Sequence, residues 1–149
     1  MAIGDICNRE VVVAGRDCTI LEAAQLMRQH HVGDVVIVEK RGGINAPAGL
    51  VTDRDLFVEI IAPAIDQAAI TVGDLMMSDL ATARESPGVS ETIEYMRAKG
   101  ERRVPVVVEY GVLVGILALD DLLEPLSAEL LSRSRLVRHE QKREMTSRR

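Results

Sequence analysis

The feature that most limits what this chain can become is a repeat of its own sequence. Ile3-Gly4-Asp5-Ile6-Cys7 returns as Val72-Gly73-Asp74-Leu75-Met76, and the same offset of 69 residues carries Glu22 onto Glu91, Met27 onto Met96, Arg28 onto Arg97 and Val35 onto Val104. One offset held across so many positions marks a duplicated supersecondary unit. Later in each copy the offset falls to 66, so that Gly49, Asp55 and Leu56 map onto Gly115, Asp121 and Leu122. The first copy therefore holds three extra residues, most naturally in a loop over residues 40–47. This divides the chain into repeat one at 3–63, a linker at 64–70, repeat two at 71–126, and a C-terminal helix with a basic tail at 127–149.

Each copy reads as strand, helix, strand, strand, helix, a mixed α/β (α+β) pattern. In repeat one, residues 11–13 are β-branched and strand-like; Thr19 caps a helix, with Glu22 completing the box and Ile20, Ala23, Ala24 and Met27 along one face. Residues 35–38 and 48–51 supply the next two strands, and a helix showing Leu56, Phe57, Ile60 and Ile61 starts after Thr52 and ends before Pro63. In repeat two, Ser86 and Pro87 open a helix that carries Val89, Ile93 and Met96 and stops at Gly100. Residues 104–108 and 113–117 are strands turned by Tyr110-Gly111, and a closing helix begins near Asp120 with Pro125 in its first turn. Thr71 and Asp74 form a further capped turn after the linker.

The string Gly49-Leu50-Val51-Thr52-Asp53-Arg54-Asp55-Leu56 runs from an apolar strand through a charged turn into a helix. The unpaired N–H groups of a helix start suit phosphate, with Thr52 adding a hydroxyl and Arg54 a fixed positive charge. A carboxylate such as Asp55 repels phosphate but accepts from a ribose diol. The same residues also read as a capping box, Thr52 to Asp55, that only stabilises the helix.

Two tandem repeats of this order, with Val51-Thr52-Asp53-Arg54-Asp55-Leu56 in the first and Arg102-Arg103-Val104-Pro105-Val106-Val107 in the second, resemble a CBS domain pair, or Bateman module, over about residues 3–126. The resemblance implies two small units packed sheet to sheet about a pseudo-twofold axis, with two clefts between them. It implies adenosine-containing regulatory ligands, namely AMP, ADP, ATP, S-adenosylmethionine or sometimes NAD, and pairing of modules into flat homodimers through their helices. It implies regulation of an unidentified partner protein rather than catalysis.

Carried across position by position, the resemblance makes the copies unequal. Thr52 matches a hydroxyl that contacts ribose or phosphate, Asp55 matches the ribose carboxylate, and Asp53 and Arg54 complete that turn, with Arg54 in reach of a phosphate. In repeat two Asp121 keeps the carboxylate, but Ala118 replaces the hydroxyl and Leu119-Asp120 replaces Asp53-Arg54, so that Asp120 disfavours a phosphate. Arg102 and Arg103 match phosphate-holding positions ahead of Val104 and Pro105, whereas repeat one has Gly33 and Asp34 there. The expectation is at most one well-formed nucleotide site, centred on Thr52 and Asp55. An exposed basic pair is the plain alternative for Arg102 and Arg103.

Other chemistries find little support. His30 and His31 end a helix with no third ligand at metal spacing, so no metal is expected. Ser78, Ser86 and Ser90 have no nearby base and no nucleophile turn, and the pair Met76 and Met77 reads as core packing. No apolar run reaches the roughly 20 residues of a membrane span. Cys7 and Cys18 lack redox or metal spacing, so a cytoplasmic protein with reduced thiols is expected. The net charge of −5 argues against nucleic acid overall, although residues from Ser127 onward sum to +4 and leave −9 on the body. Leu123, Leu126 and Leu130 continue an apolar face toward Val137, beyond which residues 138–149 are expected to fray as a solvated basic tail, or to dock an acidic partner or nucleic acid. Two functions therefore stand open: a nucleotide sensor acting on a partner, and a ligand-free dimerisation or interaction module with decayed clefts.

Overall fold

The computed structural model describes residues 2–76 and 79–147. Met77, Ser78, Arg148 and Arg149, which entered the sequence reading, lie outside the described residues. The chain opens with one helical turn, α1 (Ile3–Ile6), then β1 (Val13–Ala14), α2 (Ile20–His30), β2 (Asp34–Arg41), β3 (Ile44–Thr52) and α3 (Asp53–Leu56). Repeat two follows with α4 (Val72–Leu75), β4 (Ala83–Arg84), α5 (Val89–Lys99), β5 (Arg103–Val107), β6 (Leu113–Ala118) and the long α6 (Leu119–Ser147).

Each repeat closes its own three-stranded sheet, in the orders β1-β2-β3 and β4-β5-β6. The first pair in each sheet is parallel and the second antiparallel. A parallel pair needs a crossover, which α2 and α5 supply. The Thr19 Oγ1 accepts from the Glu22 N–H at 3.0 Å to start α2, whose Ile20, Ala23 and Met27 turn inward. Helix α5 starts two residues later than Pro87, with Gly88 as its N-cap, and stops at Gly100 in the left-handed region (φ 69°) as expected.

The stretch expected as a loop over residues 40–47 is instead the tip of a hairpin. Strands β2 and β3 pair as far as Arg41 opposite Ile44, and Gly42 and Gly43 both take positive φ (58° and 82°) to make the turn. Only residues without a Cβ adopt that pair of conformations cheaply, so the glycines that read as a loop are the means of keeping two long strands in register.

The two cores exchange their opening turns. Val72 of α4 is fully buried among Ile20, Val35, Ile37 and Val51 of repeat one, while Ile3 of α1 is fully buried with Met96, Val104, Leu117 and Leu122 of repeat two. Asn8 pairs with Ile116 in both directions (2.9 and 2.8 Å), and Cys7 fills the space a Cβ on Gly115 would need; Met76 does the same at Gly49, the equivalent residue. Each half is thus completed by a piece of chain from the other.

After Thr52 the expected helix begins as α3 but continues as a π-helical turn, Phe57–Ile61. Helix α6 runs unbroken for 29 residues. Pro125 is its seventh residue, in the second turn rather than the first, so the carbonyl of Asp121 has no N–H to accept from at that position. Residues 138–147, expected to fray, are helical.

Candidate functional site

The strand-to-helix turn of repeat one is built by reciprocal capping. The Asp55 N–H donates to the Thr52 Oγ1 at 3.1 Å, and the Thr52 N–H donates to the Asp55 Oδ2 at 2.9 Å. The capping alternative raised by the sequence is therefore present. It engages one oxygen of Asp55 and leaves the carboxylate capacity for another donor. Repeat two keeps half of this device: the Ala118 N–H donates to the Asp121 Oδ2 at 3.0 Å, but Ala118 has no hydroxyl to return the bond.

The turns that precede β2 and β5 are tied to these helix starts in the same way in both copies. The Asp53 N–H donates to the Gly33 carbonyl at 2.9 Å, and the Leu119 N–H donates to the Arg102 carbonyl at 2.8 Å. Asp53 and Leu119 are equivalent residues, as are Gly33 and Arg102, so one backbone clamp carries different side chains.

These elements enclose a cavity of about 620 Å³. Repeat one contributes Leu50, Thr52, Asp53 and Arg54, and repeat two contributes Gly100, Glu101, Arg102 and Arg103 together with Ala118, Leu119 and Asp120. The hydroxyl-bearing turn and the basic pair, which the sequence could only assign to different repeats, therefore face one space. Asp55 and Asp121 are not on its wall; both act as caps beside it. Val104 and Pro105 are buried within β5 and are not on the cavity wall.

Charge in the cavity is nearly balanced, with Arg54, Arg102 and Arg103 against Asp53, Glu101 and Asp120. Arg103 reaches across to repeat one, where its Nε lies 3.4 Å from the Asp34 Oδ2 and its Nη1 donates to the Gly33 carbonyl at 3.3 Å. Burial pushes the Asp34 carboxyl up, Arg103 opposes this, and Asp53 and Asp121 reinforce it. The sequence reading missed Asp34 as a partner of Arg103 and missed Glu101 altogether. A signal for the first was available: Asp34 and Arg103 are the same position under the 69-residue offset, and equivalent positions near a pseudo-twofold axis meet.

Among the described residues no group of three or more His, Cys, Asp or Glu is gathered closely enough to hold a metal ion. No helix among them is long and apolar enough to cross a membrane.

Two unequal copies of a strand-helix-strand-strand-helix unit, facing each other across a charged cleft, define a tandem-repeat α/β module. The chain belongs to the CBS domain family, whose pattern it matches over residues 3–62 and 72–128. It is 32% identical over 118 residues to hypoxic response protein 1 of Mycobacterium tuberculosis, spanning 79% of this chain and 80% of that one. It is also 32% identical over 124 residues to an uncharacterized protein of Methanopyrus kandleri, where the match covers 83% of this chain but 62% of the relative's length. Among solved structures, a CBS domain pair in complex with 5′-methylthioadenosine and S-adenosyl-L-methionine superposes with a TM-score of 0.71 at 26% identity, covering 87% of this chain and 98% of that one. Hypoxic response protein I with two coordinated zinc ions superposes at 0.70 with 30% identity, covering 83% and 98%.

Proposed function

We propose that this CBS pair is a regulatory module rather than an enzyme, and that it takes one adenosine-containing ligand per chain in the cleft between its repeats. The observation that carries this reading is that Thr52, Asp53 and Arg54 converge with Arg102 and Arg103 on one cavity of about 620 Å³. That volume lies within the range usual for small-molecule sites, roughly 300–1,000 Å³. The adenosyl ligands in the related domain pair support the ligand class.

In this reading the Thr52 hydroxyl takes a ribose hydroxyl from the cavity wall, and Asp55, capped to Thr52 beside the cavity, holds that turn in place. Arg102 and Arg54 take the phosphate or carboxylate end. Arg103 is the coupling residue. An anion beside it competes with Asp34 and Gly33, so ligand binding loosens the tie from repeat two to repeat one. The difference in affinity between tied and untied arrangements is the free energy available to a partner protein in a cytoplasmic setting. A homodimer forms through the short-helix face, where Phe57, Ile61 and Leu123 are 65%, 64% and 54% exposed. A twofold pair is isologous, the same patch of each protomer meeting that of its partner, so this one face suffices for a dimer.

A second reading, a ligand-free interaction module, is favoured by one observation: at the helix start of repeat two, Ala118 and Asp120 offer neither a hydroxyl nor a cation. Thermal unfolding with AMP, ADP, ATP, S-adenosylmethionine and NAD in turn separates them. Ligand at about 100 times its dissociation constant adds roughly 2.7 kcal/mol, a shift of several degrees in a domain of this size. A shift in the wild type that is absent in Asp55→Ala supports the sensor, and no shift with any of the five supports the interaction module.

A further inference from the structure

Beyond the family match, which ends at residue 128, α6 runs on as a helix to Ser147, and every described residue from Ser127 onward is exposed. That extension is about 30 Å long at 1.5 Å per residue. Its surface is not uniformly polar. At 100° per residue Leu123, Leu130, Val137 and Met145 fall on one side with Ser127, Ser134 and Gln141 between them. Leu130, Val137 and Met145 are 72%, 52% and 72% exposed. A helix of this length is marginal in water on its own, and an apolar stripe along it seeks a cover.

Charge along the helix selects the cover. From Leu119 to Ser132 it carries Asp120, Asp121, Glu124 and Glu129 and no base; from Arg133 to Glu144 it carries Arg133, Arg135, Arg138, Lys142 and Arg143 against Glu140 and Glu144. Arg133 pairs with Glu129 within the helix at 2.9 Å, whereas Arg135, Arg138, Lys142 and Arg143 make no ion pair among the described residues. A segment acidic at one end and basic at the other, with an apolar stripe spanning both, is complementary to itself only when reversed. A parallel copy sets base against base.

We infer that the extension of α6 pairs with α6 of a second copy of this chain in antiparallel register. A local twofold axis between Arg133 and Ser134 sets Leu130 against the partner's Val137 and brings Glu124 to within one residue of the level of the partner's Lys142, both on the same flank of the stripe. The seam is short and mixed, so the charge pattern sets its direction and makes it salt-sensitive. The pairing segment, from Leu130 onward, lies beyond the Phe57, Ile61 and Leu123 face along α6, and it stands whether or not the cleft binds a nucleotide.

The test uses the full chain carrying Phe57→Glu and Ile61→Glu, which disables the other face, with mass read by light scattering and helix content by circular dichroism. This chain is expected to remain a dimer, and adding Leu130→Glu and Val137→Glu is expected to make it a monomer with repeats still folded. Direction is read by cross-linking in a Cys7→Ser/Cys18→Ser background: Leu130→Cys and Val137→Cys chains are expected to form a disulfide when mixed and little when alone. A monomer before the α6 substitutions overturns the inference, as does a dimer that survives them. Efficient cross-linking of either cysteine variant with itself overturns the antiparallel register. A chain that stays single but binds anionic vesicles or duplex DNA through the basic half also overturns it.

Discussion

The two helix starts, Thr52 to Asp55 and Ala118 to Asp121, are copies that have kept one job and divided another. Both hold the strand-to-helix corner with a carboxylate on the backbone, Asp55 at 2.9 Å and Asp121 at 3.0 Å, and both are clamped from the turn before the neighbouring strand, through Gly33 and Arg102. What differs are the side chains that the clamp leaves free. Repeat one offers a hydroxyl and Arg54; repeat two offers a methyl group and Asp120. At the clamp itself the asymmetry reverses, with Arg102 and Arg103 in repeat two opposite Gly33 and Asp34. Caps maintain the fold and so persist in both copies, whereas the cleft needs one hydroxyl turn and one basic turn. The pseudo-twofold packing brings one of each to a common space.

If the frame is shared, damage to it should cost the same in either copy. Leu122 is fully buried and its equivalent Leu56 is 8% exposed. Each truncation to Ala is expected to lower stability in urea by about 2–5 kcal/mol, with Leu122 the costlier. A near-neutral result for either one breaks the claim of an equivalent frame.

The caps sharpen the comparison. Asp55→Ala and Asp121→Ala are each expected to cost about 1 kcal/mol of stability, but only Asp55→Ala is expected to remove the adenosyl-ligand shift in thermal unfolding. Equal effects on ligand binding would mean that the copies are not divided as described. In the opposite direction, Ala118→Thr restores the missing half of the second capping box and is expected to raise stability by roughly 0.5–1 kcal/mol in the same denaturation assay.

The smallest effect concerns Asp34. Its carboxyl is held above the ordinary range chiefly by burial, so the folded chain binds this proton more readily than the unfolded chain does. Stability tied to Asp34 is therefore full below the usual carboxylate range and is lost as pH rises through the raised value. Asp34→Asn is expected to be more stable than the wild type at neutral pH, the gap closing on acidification below that range. The same substitution weakens the hold on Arg103 and is expected to tighten an anionic ligand.

Much of this fold was legible because duplication writes the same constraint twice. Thr19 with Glu22, Thr71 with Asp74 and Gly100 fixed element ends through local chemistry that tertiary contacts did not override. The hairpin at Gly42-Gly43 was hidden because adjacent glycines mark a loop and a tight turn alike, and only the pairing of Lys40 with Asn45 and Arg41 with Ile44 decides between them. The length of α6 was hidden because apolar residues thin out past Val137, and local sequence carries no record of what a surface helix packs against. At the site, residue types were readable but not their meeting. That Arg103 crosses to Asp34, and that Arg102 and Thr52 face one cavity, follow from the axis between the repeats, which no single stretch encodes.

The most direct test of the central claim is titration calorimetry of S-adenosylmethionine and of AMP into the wild-type chain and into Arg102→Ala/Arg103→Ala. The account predicts saturation by at least one of the two ligands at one equivalent per chain, and a loss of affinity of roughly 10–100-fold or more in the double variant, as expected when charged hydrogen bonds worth about 1.5–3 kcal/mol are removed. Two equal equivalents per chain, or an affinity untouched by loss of both arginines, would contradict it.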